Sequence, residues 1–515
     1  MSKQRHLALV WILAAAGCPG NPGLVDGGAP DRATAPLLHA EALVDGSGGT
    51  LRLEDGASLE VPAGALSTAT LVTMDRVEEA HYRFGPDGTT FARPVMLSLP
   101  TPAGLGDRAA IFFSRPGSPG ALDELPTHHD AAADHSIAYV LHFSEAFVRE
   151  ASLLAQYGTQ TIALTMGRAE AFGCVVLDDG SLRCFGSDSS GLRGASSVAP
   201  LGGTNLLDLG DSVATVAAST SNVACALTLG GALHCWGQNS GFEPFPDDVC
   251  DDDVTARPTR LLEGVRDVAL GHEHGCVAFR DTGEVACFGS NLQGEAGIGA
   301  GPSQAFPCGG ALQRVAGVDD VVQVVASGRT SCARQRDGTA YCWGSVTDLW
   351  PATDLQTCMR AEPLPCQATP RLVDGVQAIH VSIGADGICF VLNGGDVRCA
   401  KSTVWTDLPA SNVSYLSSAS GTTCAVVRAG EIECWGDGAA GELGDGAFAD
   451  SADPVPVLGI SDALQVAVGS HFTGATSVCA TTRGRGLFCW GNGLRGGLGY
   501  DRIGQRAGTP VGLTW

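Results

Sequence analysis

The chain is 515 residues long and carries 55 acidic against 31 basic side chains, a formal net charge of −24. A surface of that sign repels phosphate, which excludes nucleic acid and anionic lipid headgroups as partners held by charge. The other outlying counts are 70 glycines and 19 cysteines, the latter an odd number.

At the N-terminus, Lys3, Arg5 and His6 precede an apolar run from Leu7 to Ala16, which ends in Ala15-Ala16-Gly17-Cys18. A basic start, a short apolar stretch and small residues before the break make a secretory signal, too short to span a bilayer. The setting of Cys18 resembles the lipobox of bacterial lipoproteins, with Ala15 where Leu is usual. That resemblance implies removal of residues 1–17, diacylation of Cys18 and a lipid anchor in the bacterial cell envelope, outside the cytoplasm; two acyl chains are what make such attachment stable. Simple cleavage after an Ala-x-Ala site is the other reading. Residues 18–38, rich in Pro, Gly and Asp, then form a flexible tether.

Residues 39–157 contain no cysteine and alternate apolar with polar side chains, as in Ser58-Leu59-Glu60-Val61 and Val95-Met96-Leu97-Ser98-Leu99. Pro and Gly interrupt these runs at short intervals, the pattern of a small antiparallel β-sandwich. The stretches Leu59-Glu60-Val61-Pro62-Ala63-Gly64-Ala65-Leu66 and Phe84-Gly85-Pro86-Asp87-Gly88-Thr89-Thr90-Phe91 resemble the sandwich domain shared by ankyrins and netrin receptors, which also occurs in bacterial surface proteins. In some relatives of that domain a His-Phe-Ser sequence cleaves itself, so the resemblance implies a candidate site at His142-Phe143-Ser144: the Ser144 hydroxyl would attack the Phe143 carbonyl, helped by His142. The competing expectation is that Phe143 fills the sandwich core.

From residue 158 onward, seven cysteine pairs recur: Cys174 and Cys184, Cys225 and Cys235, Cys276 and Cys287, Cys332 and Cys342, Cys389 and Cys399, Cys424 and Cys434, Cys479 and Cys489. A regular step of this length is the mark of a repeat architecture. Between the members of a pair, apolar runs flank Asp179-Gly180, Gly230-Gly231 or Asp337-Gly338, residues that tolerate the positive φ of a hairpin turn. A hairpin centred there sets the two cysteines opposite one another, so each pair is a candidate cross-strand disulfide. Export supports that state, whereas in a reducing compartment the same cysteines would be buried thiols. An apolar stretch before each pair and a Gly-rich segment after it bring the count to about four strands per repeat, the content of one propeller blade.

Gly271-His272-Glu273-His274-Gly275-Cys276, Asp281-Thr282-Gly283 and Cys434-Trp435-Gly436-Asp437-Gly438-Ala439-Ala440-Gly441-Glu442-Leu443-Gly444 resemble the repeat of the regulator of chromosome condensation family. The resemblance implies a seven-bladed β-propeller over 158–515, hence an all-β chain. In repeat five, Cys399-Ala400-Lys401 replaces Cys-Trp-Gly, and the step to repeat six is short, so this blade is expected to be trimmed at its outer edge. The C-terminal segment from Thr509 is expected to pair with strands near 158–164 and close the ring. His272 and His274 fall where the family places a buried packing histidine.

Four cysteines lie outside the ladder. Cys358 and Cys366 share one insert and are expected to pair; Cys250 and Cys308 sit in consecutive inserts, and a bond between them is a connectivity that spacing alone does not fix. The run ending in Asp251-Asp252-Asp253 is a weak candidate for Ca²⁺ and otherwise a solvated acidic loop. No phosphate-binding loop with a following Lys is present, and no resident metal or cofactor is expected.

These residues point to a binding scaffold rather than an enzyme. The inserts 238–262, 290–316 and 345–372, with Phe245 and Trp350 as candidate aromatic anchors, are the expected contact surface for an unknown protein or cell-wall glycan. Self-cleavage between Phe143 and Ser144 is one alternative. Guanine-nucleotide exchange, the activity of the eukaryotic relative on a nuclear GTPase, is another that rests on resemblance only, and both charge and export oppose it.

Overall fold

The computed structural model describes residues 36–512 apart from 107–108, 115–121, 126, 151–158, 167–170, 178–179, 187–190, 192–193, 195–204, 220–221, 239–253, 300–311, 359–363, 385–386, 420, 428–429, 471–475, 483–485 and 494–505. The chain is all-β. Ala352–Asp354 forms a 3-10 turn.

Between residues 38 and 150, two antiparallel sheets of six and five strands enclose one core. Alternation puts Val72, Met74, Tyr82, Phe84 and Ile111 of the first sheet against Leu59, Val95, Leu97 and Val140 of the second. His135–His142 and Glu145–Glu150 belong to different sheets, so Phe143 and Ser144 form the crossing between them.

Beyond residue 158 come seven further sheets, one per cysteine pair, each built from consecutive strands. Repeat two shows the plan: Val213–Ala218, Val223–Thr228, Leu233–Gln238 and Val254–Leu262 pair antiparallel in that order. The first strands pack side by side in sequence order, and Thr159–Met166 of repeat one packs on Ala463–Ser470 of repeat seven, so the series returns to its start. Closure does not use the C-terminal segment as expected. Arg506–Gly512 pairs with Gly486–Asn492 as the fourth strand of its own sheet. Repeat seven thus completes itself, and side-chain packing between first strands brings the ends of the series together.

Two devices join each sheet to the next. Glycines of the hairpins between second and third strands, Gly180, Gly231, Gly283, Gly338, Gly395 and Gly430, accept at 2.8–3.0 Å from the first backbone N–H of the following sheet. The turn needs positive φ, and the approach leaves no space: at Gly395, with φ 86°, a Cβ would stand 2.8 Å from the Asn412 Cα.

The second device is the cystine. All seven ladder pairs are bonded: Cys174 to Cys184, Cys225 to Cys235, Cys276 to Cys287, Cys332 to Cys342, Cys389 to Cys399, Cys424 to Cys434 and Cys479 to Cys489. In every repeat the two half-cystines are register partners on the second and third strands, with Cα atoms 4.0–4.1 Å apart. That is close to the narrow, non-hydrogen-bonded spacing of an antiparallel pair. Each cystine is buried and joins the core shared with the following repeat. Cys174 and Cys184 pack with Val213 and Val216, Cys225 and Cys235 with Val265 and Val268, and Cys276 and Cys287 with Val321 and Val324. Cys332 and Cys342 meet Ala378 and Val381, and Cys389 and Cys399 meet Val413 and Leu416. At the join of the series, Cys479 and Cys489 share a core with Val175 and Phe185 of repeat one.

Closing a loop of this length stabilises by roughly 2–3 kcal/mol in the chain-entropy account. Because the sulfurs also fill the core between sheets, the double change Cys332→Ala and Cys342→Ala is expected to cost more, about 3–5 kcal/mol. Urea unfolding under non-reducing conditions measures it, and a loss under 1 kcal/mol would contradict the packing role.

Candidate functional site

The first strands of the repeats enclose a channel of about 640 Å³. Each of these strands opens with the same β-bulge, and the residue just after it occupies one register position around the ring: Thr161, Thr215, Asp267, Gln323, His380, Tyr415 and Gln465. The six from Thr215 to Gln465 line the channel. Six different repeats therefore contribute a polar belt at one level.

Most of the belt's bonds run between repeats. The Val324 N–H donates to Asp267 at 2.8 Å. Gln323 Nε2 donates to His380 Nδ1 at 3.0 Å and to the Val381 carbonyl at 3.3 Å, while its Oε1 accepts from the Val381 N–H and from Arg334 Nε, both at 3.2 Å. His380 Nε2 lies 3.0 Å from the Leu416 carbonyl, an acceptor, so Nε2 carries the proton and Nδ1 accepts from Gln323. This is the neutral tautomer, in keeping with burial lowering the His380 pKa to about 4. Gln465 Nε2 donates to Tyr415 Oη at 2.6 Å. Burial pushes the Asp267 carboxyl up to about 6, against the opposing pull of the Val324 N–H and Arg334.

A further inter-repeat device is a Gly-Glu strap after the third strand. In repeat three, the fully buried Glu295 carboxylate accepts from Ser290 Oγ at 2.7 Å, the Gln293 N–H at 2.5 Å and Arg329 of repeat four at 3.0 Å. Its carbonyl accepts from Trp343 Nε1 and Ser331 Oγ of repeat four, both at 2.9 Å. Gly297 lies flat against Trp343, where a Cβ would be 2.8 Å from Nε1, and the Gly299 N–H donates to the Ala368 carbonyl at 2.8 Å. Repeat six repeats the contact on repeat seven: Trp490 Nε1 donates to the Glu442 carbonyl at 2.8 Å, Gly444 faces that indole, and the Gly446 N–H donates to the Gly508 carbonyl at 2.8 Å. The Gly-Glu-x-Gly sequence thus binds an indole of the neighbouring repeat.

The residues singled out from sequence are distributed as follows. Phe143 is buried, edge-on to Phe91 at 4.6 Å and stacked at 6.1 Å on Phe84. Its carbonyl faces the Gly88 N–H at 3.3 Å and His142 Nδ1 at 3.4 Å, and the Ser144 carbonyl accepts from the Phe84 N–H at 2.9 Å. His274 is buried with Nε2 bonded to Ser331 Oγ at 2.8 Å, and burial lowers its pKa; Glu273 instead pairs with Arg329 at 2.8 Å. Cys358 and Cys366 are bonded across the hairpin Gln356–Cys358 and Leu364–Leu372. Trp350 packs at the edge of the core beneath that insert, under the Arg371 guanidinium at 4.5 Å. Cys18, Phe245, Cys250, Asp251, Asp252, Asp253 and Cys308 lie outside the described residues.

Two expectations are corrected. Repeat five keeps its fourth strand, Val404–Leu408; what it lacks is the strap, replaced by a turn at Ser402 and Thr403. The three inserts also contain ordinary fourth strands, Val254–Leu262, Gln313–Val315 and Leu364–Leu372, so less of each is free connection than its length implies. The belt and the indole contacts went unnoticed in the sequence, although Gly-Glu-x-Gly stands there twice, each time ahead of a Trp in the next repeat.

No family model matches the chain. The ultraviolet-B receptor UVR8 of Arabidopsis thaliana is 25% identical over 311 residues, covering 56% of this chain and 67% of the receptor. The probable E3 ubiquitin-protein ligase HERC6 of Homo sapiens is 24% identical over 249 residues, 47% of this chain but 20% of the ligase. Among solved structures, human WBSCR16 superposes with a TM-score of 0.51 at 19% identity, covering 64% of this chain and 90% of that one. These likenesses support a propeller of the kind built from regulator of chromosome condensation repeats.

Replacing Trp490 by Phe removes the donor to a buried carbonyl and should cost about 1–3 kcal/mol. Trp435→Phe, where Nε1 has no acceptor among the described residues, should cost less; equal losses in urea unfolding would show that the strap bond contributes nothing.

Stability against pH tests the belt. His380, with its lowered folded pKa, loses stability as pH falls from 6.5 toward about 4, because the unfolded chain takes up the proton first. Asp267, with its raised pKa, acts oppositely: its contribution is present below 3.8 and is lost as pH rises through about 6. Asp267→Asn should therefore raise the melting temperature at pH 7.5 and steepen the loss between pH 6.5 and 4. An unchanged pH profile would place Asp267 in water.

Proposed function

We propose that the chain is a membrane-anchored extracytoplasmic scaffold in which seven blades form one propeller that binds a protein partner. Residues 39–157 form a β-sandwich between the propeller and a lipid anchor on Cys18, in the bacterial cell envelope. The observation that carries the binding role is the contrast between the ring's centre and its connections. The polar groups of the channel are engaged in bonds between neighbouring repeats, so the centre serves cohesion. The connections from third to fourth strand range from two residues in repeat five, Ser402 and Thr403, to the 23 residues 290–312 in repeat three. All leave from the same end of their sheets, opposite the belt, and variable loops on a rigid frame are where recognition is usually placed. The propeller likeness supports a protein as partner, with a cell-wall glycan as the other candidate. The wholly disulfide-bonded ladder suits an oxidising compartment.

Non-reducing intact-mass spectrometry of protein extracted from its native membrane tests the anchor. The expected species lacks residues 1–17, is heavier by its acyl groups and is lighter by two hydrogens per disulfide. Free thiols without lipid would overturn it, and two fragments divided between Phe143 and Ser144 would replace it with a self-cleaving surface protein. Carboxylate-directed cross-linking on intact cells tests the binding face: partner links should map to 238–262, 290–316 and 345–372, and links confined to 39–157 would refute the propeller as the binding element.

A further inference from the structure

The strap that repeat three lays on repeat four, and repeat six on repeat seven, is not made by repeat five on repeat six. Ser402 and Thr403 join the third and fourth strands of repeat five directly, and that turn is tied back to repeat four: the Ser402 N–H donates to Asp348 Oδ1 and the Thr403 N–H to the Asp348 carbonyl, both at 2.8 Å.

Two features of repeat six match the missing contact. Trp343 and Trp490 are fully buried and their Nε1 groups donate to strap carbonyls, whereas Trp435 is 5% exposed and its Nε1 has no acceptor among the described residues. Gln367 and Ala368 on the fourth strand of repeat four, like Ala507 and Gly508 on that of repeat seven, are covered by straps. Their register counterparts on repeat six, Ser451 and Ala452, are half-buried and exposed. Repeat five borders the place with Lys401, which stands where other repeats have the Gly after Trp, and with its register partner Val404, 63% exposed.

We propose that the junction of repeats five and six is a docking socket for an acidic, glycine-containing turn of a partner protein. The turn presents a main-chain carbonyl to Trp435 Nε1, lays its glycine on the indole as Gly297 and Gly444 do on theirs, and covers Ala452. A side chain at that glycine would collide with the indole, which restricts the occupant to glycine. In both internal straps Glu precedes the indole-facing glycine by two residues, and Lys401 supplies the opposite charge for that carboxylate. Val404 adds apolar contact at the rim. The inference rests on the propeller's being a partner-binding scaffold and names one place and one ligand chemistry for it.

The probe is a ten-residue peptide copying residues 437–446, added to the full-length protein. Lys401 and Lys3 are the only lysines in the sequence, so acetylation of Lys401 followed by mass spectrometry reports occupancy directly. The expected result is saturable, one-to-one protection of Lys401, weakened about tenfold or more when valine replaces the peptide's indole-facing glycine, and equally by Ala452→Arg in the protein. Ala452 is exposed, so that variant folds, and Trp435→Phe should weaken binding in the same direction. An unprotected Lys401 at millimolar peptide, or protection indifferent to both the valine peptide and Ala452→Arg, overturns the socket. Because the probe is a fragment of the chain itself, its failure beside partner cross-links at the inserts would remove the socket alone.

Discussion

Everything beyond residue 158 depends on one register: the pairing of second and third strands that sets two half-cystines face to face. A four-stranded sheet cannot bury its own faces, and the first strands offer mainly Val, Ala and Leu to their neighbours, as in Val265-Arg266-Asp267-Val268-Ala269-Leu270. The cystine supplies the missing volume. It sits at the level where the next sheet leans in, so one covalent bond both fixes the hairpin and fills the core between repeats. A register slip of one residue would turn the sulfurs to the opposite face and empty that core.

With the cores between sheets made this way, the centre of the ring is free to be polar. The bulge at the start of the first strands of repeats two to seven turns the following residue toward the channel, and Asp267, Gln323, His380 and Gln465 direct their polar atoms to adjoining repeats. Burial disfavours the charged form of both groups, lowering the His380 pKa to about 4 and raising that of Asp267 to about 6. Their pH dependences oppose each other, so ring cohesion changes less between pH 4 and 6.5 than either group alone would make it.

The ladder was legible because a covalent pair must recur with the hairpin that carries it, and the Gly-rich turns sit at fixed distances from it. Even the odd spacing of repeat three, where Cys276 and Cys287 stand one residue further apart than other pairs, leaves the two half-cystines in register, because the extra residue is taken up in the turn. The belt was not legible. Its seven positions hold Thr, Thr, Asp, Gln, His, Tyr and Gln, so only the shared bulge, a property of backbone pairing, makes them equivalent. Closure by the C-terminal segment was a plausible expectation that failed for a physical reason: 506–512 extends the repeat whose third strand precedes it, while the ends of the series meet through the first strands. In the same way the long inserts concealed fourth strands, because an edge strand such as Ser451–Pro456, with two prolines and mixed exposure, carries little periodicity.

Repeat five shows what the regularity is for. Its cystine, hairpin glycine and fourth strand are all retained, so it holds its place in the ring as firmly as its neighbours do. Only the strap has been dropped, and Ala400 fills the position of the tryptophan that would have received a strap from repeat four. Repeat four uses its own connection differently, as a disulfide-closed hairpin with Asp348 clamping the repeat-five turn. The ring therefore separates two tasks in each repeat. Cystine and hairpin glycine maintain the frame, which leaves the third-to-fourth connection free to be a strap, a clamp or a bare turn without loss of closure, and it is this freedom that allows a rigid disc to carry a specific surface.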